Sequence, residues 1–186
     1  MMHYFSTAFL DRDGTINRKA ADGEYVATPE KVELLPGAGH AIRRLNEAGM
    51  LVVLVSNQRG VARGLLSIED VAAVNDRLIA LLGSANAHVD AIYVCPHDSG
   101  TCGCRKPLPG LLQLAAKDHP AIDLSKSVMI GDSESDVAAG IAAGTATIRL
   151  LVCPDTTRAD AVAPDLASAV SLVLGAEIRT LSVRLT

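Results

Sequence analysis

The chain has no tryptophan, and two phenylalanines and three tyrosines are its whole aromatic content. Its core must therefore be filled by Val, Leu, Ala and Ile, which suits helices packed on a parallel sheet. A surplus of positive charge is also missing. Lys and Arg total 17 against 21 Asp and Glu, leaving a net charge of −4 and a pI near 5.7. That balance argues against nucleic acid or an anionic membrane as partner. No apolar run reaches membrane-spanning length, and the N-terminus has no basic segment leading into one, so a cytoplasmic protein is expected. Internal repeats and low-complexity linkers are absent. Cysteine is scarce, yet Cys95, Cys102 and Cys104 fall within ten residues, a spacing that favours metal binding over disulfides. A length of 186 residues suggests one domain, placed at residues 1–175, with residues 176–186 as a C-terminal tail.

What is present is organised around Thr7 to Asn17, TAFLDRDGTIN. Ala8, Phe9 and Leu10 read as a short buried strand that stops at Asp11-Arg12-Asp13. Two carboxylates one residue apart at such a strand end repel one another and lose hydration, so their pairing is costly. Gly14 lets the backbone turn sharply, and Thr15 places a hydroxyl at the bend. An Asx turn needs only one of the two acids, so the pattern points to chemistry.

The rest of the chain alternates strand and helix. Polar residues 18–35 form either a flap over a site or a plain connector. Pro36-Gly37 opens a helix with Ala38, Ala41, Ile42 and Leu45 on one face, ended by Gly49. Leu51 to Val55 is an apolar strand closed by Ser56-Asn57-Gln58. Ser67 caps the next helix with Asp70 in a capping box. Asp90 to Val94 is a third strand, and Pro109-Gly110 opens a third helix. Ser127 to Ile130 is a fourth strand leading to Gly131-Asp132, followed by an Ala-rich helix that ends at Gly144. Thr145 to Leu151 is a fifth strand, and Pro164 to Leu174 a last helix. Leu181, Val183 and Leu185 alternate as in a marginal edge strand. This order predicts an α/β fold, a parallel sheet with helices on both faces. Ligands of such sheets sit beyond the carboxyl ends of the strands, where Asp11, Asp13, Ser56, Asn57, the Cys-His segment and Asp132 all fall.

Cys95-x-His97 and Cys102-x-Cys104 form two prongs joined by a short turn. One-residue spacing in an extended chain puts both side chains of a prong on one side. Four protein ligands of this type make a closed tetrahedral site for a structural zinc, with no place left for a reactive water. Its expected job is to fix the loop that delivers Arg105 and Lys106. Cys153 stands apart as a free thiol.

D-x-D-G-T after the first strand, S-N after the second, a Lys before the fourth and G-D-x-x-x-D after it resemble the haloacid dehalogenase superfamily of phosphatases. LDRDGTIN with CPH…CGCRKP is similar to a narrower group, the D-glycero-D-manno-heptose 1,7-bisphosphate 7-phosphatases and histidinol-phosphate phosphatases. The resemblance spans roughly residues 5 to 175 and implies a three-layer α/β/α, Rossmann-like fold without a large cap. It implies Mg²⁺ held by the carboxylates of Asp11 and Asp132 and the backbone carbonyl of Asp13. Asp11 is then the nucleophile that forms an aspartyl-phosphate, and Asp13 the general acid and base. Ser56, Asn57, Arg59, Arg105 and Lys106 are expected to bind the phosphorylated substrate. Asp136 is either a partner behind these groups or an acid stabilising a helix N-terminus.

Some positions depart from the group's pattern. Ser133 follows the metal-binding Asp132 where many heptose enzymes carry a basic residue, and Arg59 stands where relatives often have a small one. The turn between the zinc prongs is short, closer to the histidinol type. Three readings follow: a Mg²⁺-dependent sugar-bisphosphate phosphatase, which the cations around the site favour; a histidinol-phosphate phosphatase; and a zinc-stabilised binding module without catalysis. The expected partner is a small phosphorylated metabolite, and the expected state a monomer.

Overall fold

Residues 5–21, 23–151 and 156–175 are described in the computed structural model of the chain. Strands β1 (Thr7–Leu10), β2 (Leu51–Asn57), β3 (Ala91–Cys95), β4 (Ser127–Gly131), β5 (Ala146–Leu150) and β6 (Ala161–Ala163) form one parallel sheet. Their order is β3-β2-β1-β4-β5-β6. The chain winds outward one way through β2 and β3 and the other way through β4 to β6, so the order reverses between β1 and β4. The clefts of doubly wound sheets open at that point.

Side chains alternate across each strand, and both faces are covered, which is why the strands read as unbroken apolar runs. Ala8, Leu10, Val52, Leu54, Val128 and Ile130 pack on one face with helices α1 (Ala38–Glu47), α2 (Ile68–Ser84) and α5 (Leu166–Leu174). On the other face Phe9, Val53, Val55 and Met129 meet α3 (Gly110–Asp118) and α4 (Glu134–Ala143). Phe9, fully buried, stands level with Val53 and Met129 in the neighbouring strands. This is the expected three-layer α/β/α arrangement, with no helical or sheet domain inserted as a cap among the described residues.

The helix boundaries have visible causes. Ser67 and Asp70 close a reciprocal capping box on α2, and Asp165 caps α5 by accepting from Ser168 N. Gly144 ends α4 in the left-handed conformation at φ 81°. Strand β2 runs two residues past Val55, so Ser56 and Asn57 belong to the sheet. The sequence pattern missed β6, which is only three residues long and half exposed on the sheet edge. The expected edge strand in residues 176–186, and Cys153, lie outside the described residues. No helix among those described is long and apolar enough to cross a membrane.

Candidate active site

At the carboxyl end of β1 the Asp11 N–H still donates to Ile130 O at 3.0 Å, so the sheet ladder fixes the Asp11 backbone. The turn that follows depends on Gly14. It holds φ +90°, and a Cβ there would collide with the Asp132 carboxylate from the loop after β4. The backbone of one loop is thus pressed onto the acid of another.

Asp11, Asp13, Ser56, Asn57, Arg105, Lys106, Asp132 and Asp136 line one cleft of about 290 Å³. Residues of the 18–35 segment close its far side: Lys19, Ala20, Glu24, Tyr25 and Val26. Of the two expectations for that segment, the placement matches the flap.

Lys106 is at the centre. It is 3% exposed, and its Nζ donates to Asp11 Oδ1 at 2.6 Å and Val55 O at 2.8 Å. Asp136 Oδ1 pairs with the same Nζ at 2.6 Å. Burial pushes the Asp11 carboxyl up to about 7 against the pull of the Lys106 ammonium. The Lys106 ammonium is held above its ordinary value because the pull of Asp11 and Asp136 exceeds the cost of burial. Asn57 clamps the lysine backbone from both ends, its Nδ2 donating to Lys106 O and its Oδ1 accepting from Lys106 N. That commitment leaves the Asn57 amide to position the lysine.

Asp136 unites the two expectations raised for it. Its Oδ2 accepts from the Ser133 N–H and Oγ, closing the capping box of α4, while Oδ1 faces Lys106. Asp13 is encircled by donors from Arg12, Asn17 and Gln58. Gln58 Nε2 also donates to Ser56 Oγ at 2.8 Å. The sequence reading assigned nothing to Arg12 or Gln58. Arg59 is placed elsewhere: its guanidinium pairs with Asp98 and is not among the groups lining the cleft. Arg105 does line it, with Nη1 buried and without a hydrogen-bond partner.

Oxygen atoms of Asp11, Asp132 and Asp136 lie within 4.8 Å of one another, a set of hard donors suited to a small divalent cation. Charge supports the fit. Five carboxylates line the cleft (Asp11, Asp13, Glu24, Asp132 and Asp136) against three cations (Lys19, Arg105 and Lys106). Lys19 Nζ meets Asp132 Oδ2 at 3.1 Å, but from an exposed side chain that can swing aside.

The second metal cluster forms as the spacing predicts. Cys95 Sγ lies 3.6 Å from Cys102 Sγ and 3.1 Å from Cys104 Sγ, and Cys102 and Cys104 are 3.4 Å apart. His97 Nδ1 stands 3.3 Å from Cys104 Sγ and 3.7 Å from Cys95 Sγ. Four sulfur ligands on a tetrahedral zinc would stand about 3.8 Å apart, and sulfur–nitrogen pairs somewhat less, so this set encloses a zinc-sized space. Burial and the neighbouring thiols push the Cys104 thiol up to about 12, a crowding that a bound cation relieves. At Gly110 a Cβ would strike Gly103 O, so the start of α3 is seated against the cysteine loop. Arg105 and Lys106 lie between these two contacts.

Comparison with known proteins agrees with the geometry. Residues 2–144 match the family model of the haloacid dehalogenase-like hydrolases. A D-glycero-beta-D-manno-heptose-1,7-bisphosphate 7-phosphatase of Rhodopseudomonas palustris is 44% identical over 145 residues, covering 74% of this chain and 78% of that protein. A D-glycero-alpha-D-manno-heptose-1,7-bisphosphate 7-phosphatase of Mycobacterium bovis is 43% identical over 130 residues, 69% of this chain and 68% of that one. Among solved structures, the D,D-heptose 1,7-bisphosphate phosphatase of B. bronchiseptica, complexed with magnesium and phosphate, superposes with a TM-score of 0.79 at 35% identity. The match covers 91% of this chain and 98% of that one.

Proposed function

The chain belongs to the haloacid dehalogenase-like hydrolases, and on that premise we propose that it is a Mg²⁺-dependent phosphatase which removes the 7-phosphate of a D-glycero-D-manno-heptose 1,7-bisphosphate. The observation that carries this reading is the buried contact of Lys106 with Asp11 and Asp136 beside Asp132. It unites a nucleophile, a phosphate-binding cation and a divalent-metal cradle at the switch point of the sheet. The names of the relatives and the magnesium and phosphate of the B. bronchiseptica structure point the same way.

Asp11, Asp132 and the Asp13 carbonyl would hold Mg²⁺, with Asp136 beside them. When bound, the ion supplies positive charge that offsets the phosphate oxygens and the excess of carboxylates in the cleft. Asp11 attacks phosphorus through its second oxygen while Oδ1 remains on Lys106. The phosphoryl group is thereby carried as an acyl phosphate on Asp11 and is then released to water. Lys106 and Ser56 stabilise the equatorial oxygens as they gather charge. Asp13 gives its proton to the departing sugar oxygen and later takes one from the water.

The reading assigns the distal phosphate to Arg105. Its buried Nη1 is without a partner, and the residue also walls a neighbouring hollow with Ser99, Gly100 and Leu108. Arg59 contributes through the loop, where it holds Asp98. Zinc on Cys95, His97, Cys102 and Cys104 fixes that loop. Such a thiol cluster is kept intact in a reducing compartment, in keeping with a cytoplasmic site of action. The proposed state is a monomer. Steady-state rates with Mg²⁺ on heptose bisphosphate, histidinol phosphate and a generic phosphate ester test the reading. A preference for the bisphosphate supports it, hydrolysis favouring histidinol phosphate transfers the assignment, and hydrolysis of none leaves the binding-module reading.

A further inference from the structure

We infer that Arg12 is the positioning residue of Asp13, and that Asn75 of α2 anchors it. The inference rests on the reading of Asp13 as the group that passes the proton. Arg12 lies between the two catalytic acids in sequence, yet it is 1% exposed. Its guanidinium grips Asp13 sideways: Nε donates to Oδ1 at 3.3 Å and Nη2 to Oδ2 at 2.8 Å. The opposite corner of the same fork, Nη1, donates to Asn75 Oδ1 at 3.0 Å, and Asn75 is itself buried. Asn17 Nδ2 and Gln58 Nε2 add one donor each, at 2.9 Å, to the two Asp13 oxygens.

Stability alone does not explain this arrangement. Arg12 is buried while the Asp13 side chain stays 24% exposed, and such a pair gains little over apolar packing because the guanidinium loses its hydration. What a planar fork supplies is geometry: two parallel bonds fix the plane and the rotation of the carboxylate they hold. Asp13 sits in the turn after β1, where its side chain would otherwise rotate about two bonds. A proton donor works only from a narrow range of positions, and small misplacements cost rate steeply. The third corner on Asn75 makes a helix of the scaffold the reference for that aim. Lysine would keep the charge and lose the fork.

The experiment compares two esters. A p-nitrophenyl ester releases an anion stable without a proton, whereas an alkyl phosphate needs its leaving oxygen protonated. The ratio of their kcat/KM values, which report steps up to transfer onto Asp11, therefore isolates proton donation; a merely structural loss lowers both alike. Arg12→Lys, Arg12→Gln and Asn75→Ala are assayed with saturating Mg²⁺, beside Asp13→Asn as reference, each with its melting temperature. For the Arg12 variants the expected result is a fall of about 10- to 100-fold on the alkyl ester, carried by kcat, and a several-fold smaller fall on the aryl ester. Asn75→Ala should show the same imbalance more weakly. It removes one bond from a buried position of α2, where Ala suits the helix, and so keeps the test alive if the Arg12 variants do not fold. Equal losses on both esters in folded variants, or no loss, overturn the inference while an imbalance in Asp13→Asn leaves the functional reading standing. Failure of the wild type on both esters overturns the two together.

Discussion

Lys106 and Asp136 form an ion pair of 2.6 Å in which both side chains are 2% exposed. Asp11 accepts from the same ammonium, so one buried cation balances two buried carboxylates. Removing one partner of a buried pair leaves an uncompensated charge and costs about 3–5 kcal/mol. Lys106→Met is therefore expected to abolish turnover and to destabilise the metal-free protein by that order. Added Mg²⁺ should restore part of the loss by taking over the charge balance. Denaturant titrations with and without Mg²⁺ check both statements, and an Mg²⁺ response no larger than the wild type's would count against the cation exchange.

The two acids of the first loop should separate by substitution. Asp11→Asn is expected to remove turnover on every ester, because an amide is no nucleophile. Asp13→Asn should lose about 10²–10⁴-fold, since it removes proton transfer, and it also leaves the buried Arg12 without its carboxylate. Near-native rates in either variant, purified free of host phosphatases, would sink the assigned roles.

Gly14 offers a test of the loop contact without touching a charged group. Its φ of +90° and the closeness of the Asp132 carboxylate leave no room for a side chain. Gly14→Ala should raise the Mg²⁺ concentration needed for half-maximal activity, as Asp132 is pushed from the other carboxylates. The check is a Mg²⁺ titration of activity, with circular dichroism showing the sheet intact. An unchanged midpoint would mean that the loops adjust freely.

The zinc cluster predicts about one tightly held zinc per chain, distinct from exchangeable Mg²⁺. Replacing Cys102 by Ser should weaken zinc retention and lower kcat, because the loop between the cluster and Gly110 carries Lys106. Elemental analysis beside kinetics decides it: full activity in zinc-free protein would refute the link.

The parts legible in the sequence were those written in local pattern. Ala8 to Leu10, Leu51 to Val55 and Ser127 to Ile130 are apolar runs that only a doubly covered sheet accepts, and Asp11, Asp132 and the cysteine prongs follow strands directly. What stayed hidden depends on partners distant in the chain. Arg12 meets Asn75 63 residues away, and Gln58 meets Asp13 45 residues away. Arg59 reads as a free cation until the fold brings Asp98 to it across 39 residues. Asp136 could be read as a cap or as a partner of the site, and only the packing of α4 against β4 makes it both.

On the proposed reading, substrate choice is expected to turn on Arg105. Heptose bisphosphate presents a second dianionic phosphate away from Asp11, whereas histidinol phosphate presents an ammonium and an imidazole. Arg105 brings to the cleft a buried Nη1 without a partner, so a phosphate there gains a charge-assisted bond that costs the arginine no existing one. Lys19 is paired with Asp132, and Glu24 adds a negative charge to the cleft lining. Arg59, spent on Asp98, adds little at the phosphate itself. The margin left to Arg105 alone is about 1–2 kcal/mol, roughly tenfold in kcat/KM, because the residue is half exposed and salt screens it. Arg105→Ala is therefore expected to raise KM for the bisphosphate about tenfold with little change in kcat, and to leave a monophosphate nearly unaffected. Arg59→Ala should act more weakly, through the loop. Side-by-side kinetics at low ionic strength provide the check: an equal loss on monophosphate and bisphosphate would place Arg105 on the reacting phosphate, and the distal contact would have to be sought elsewhere.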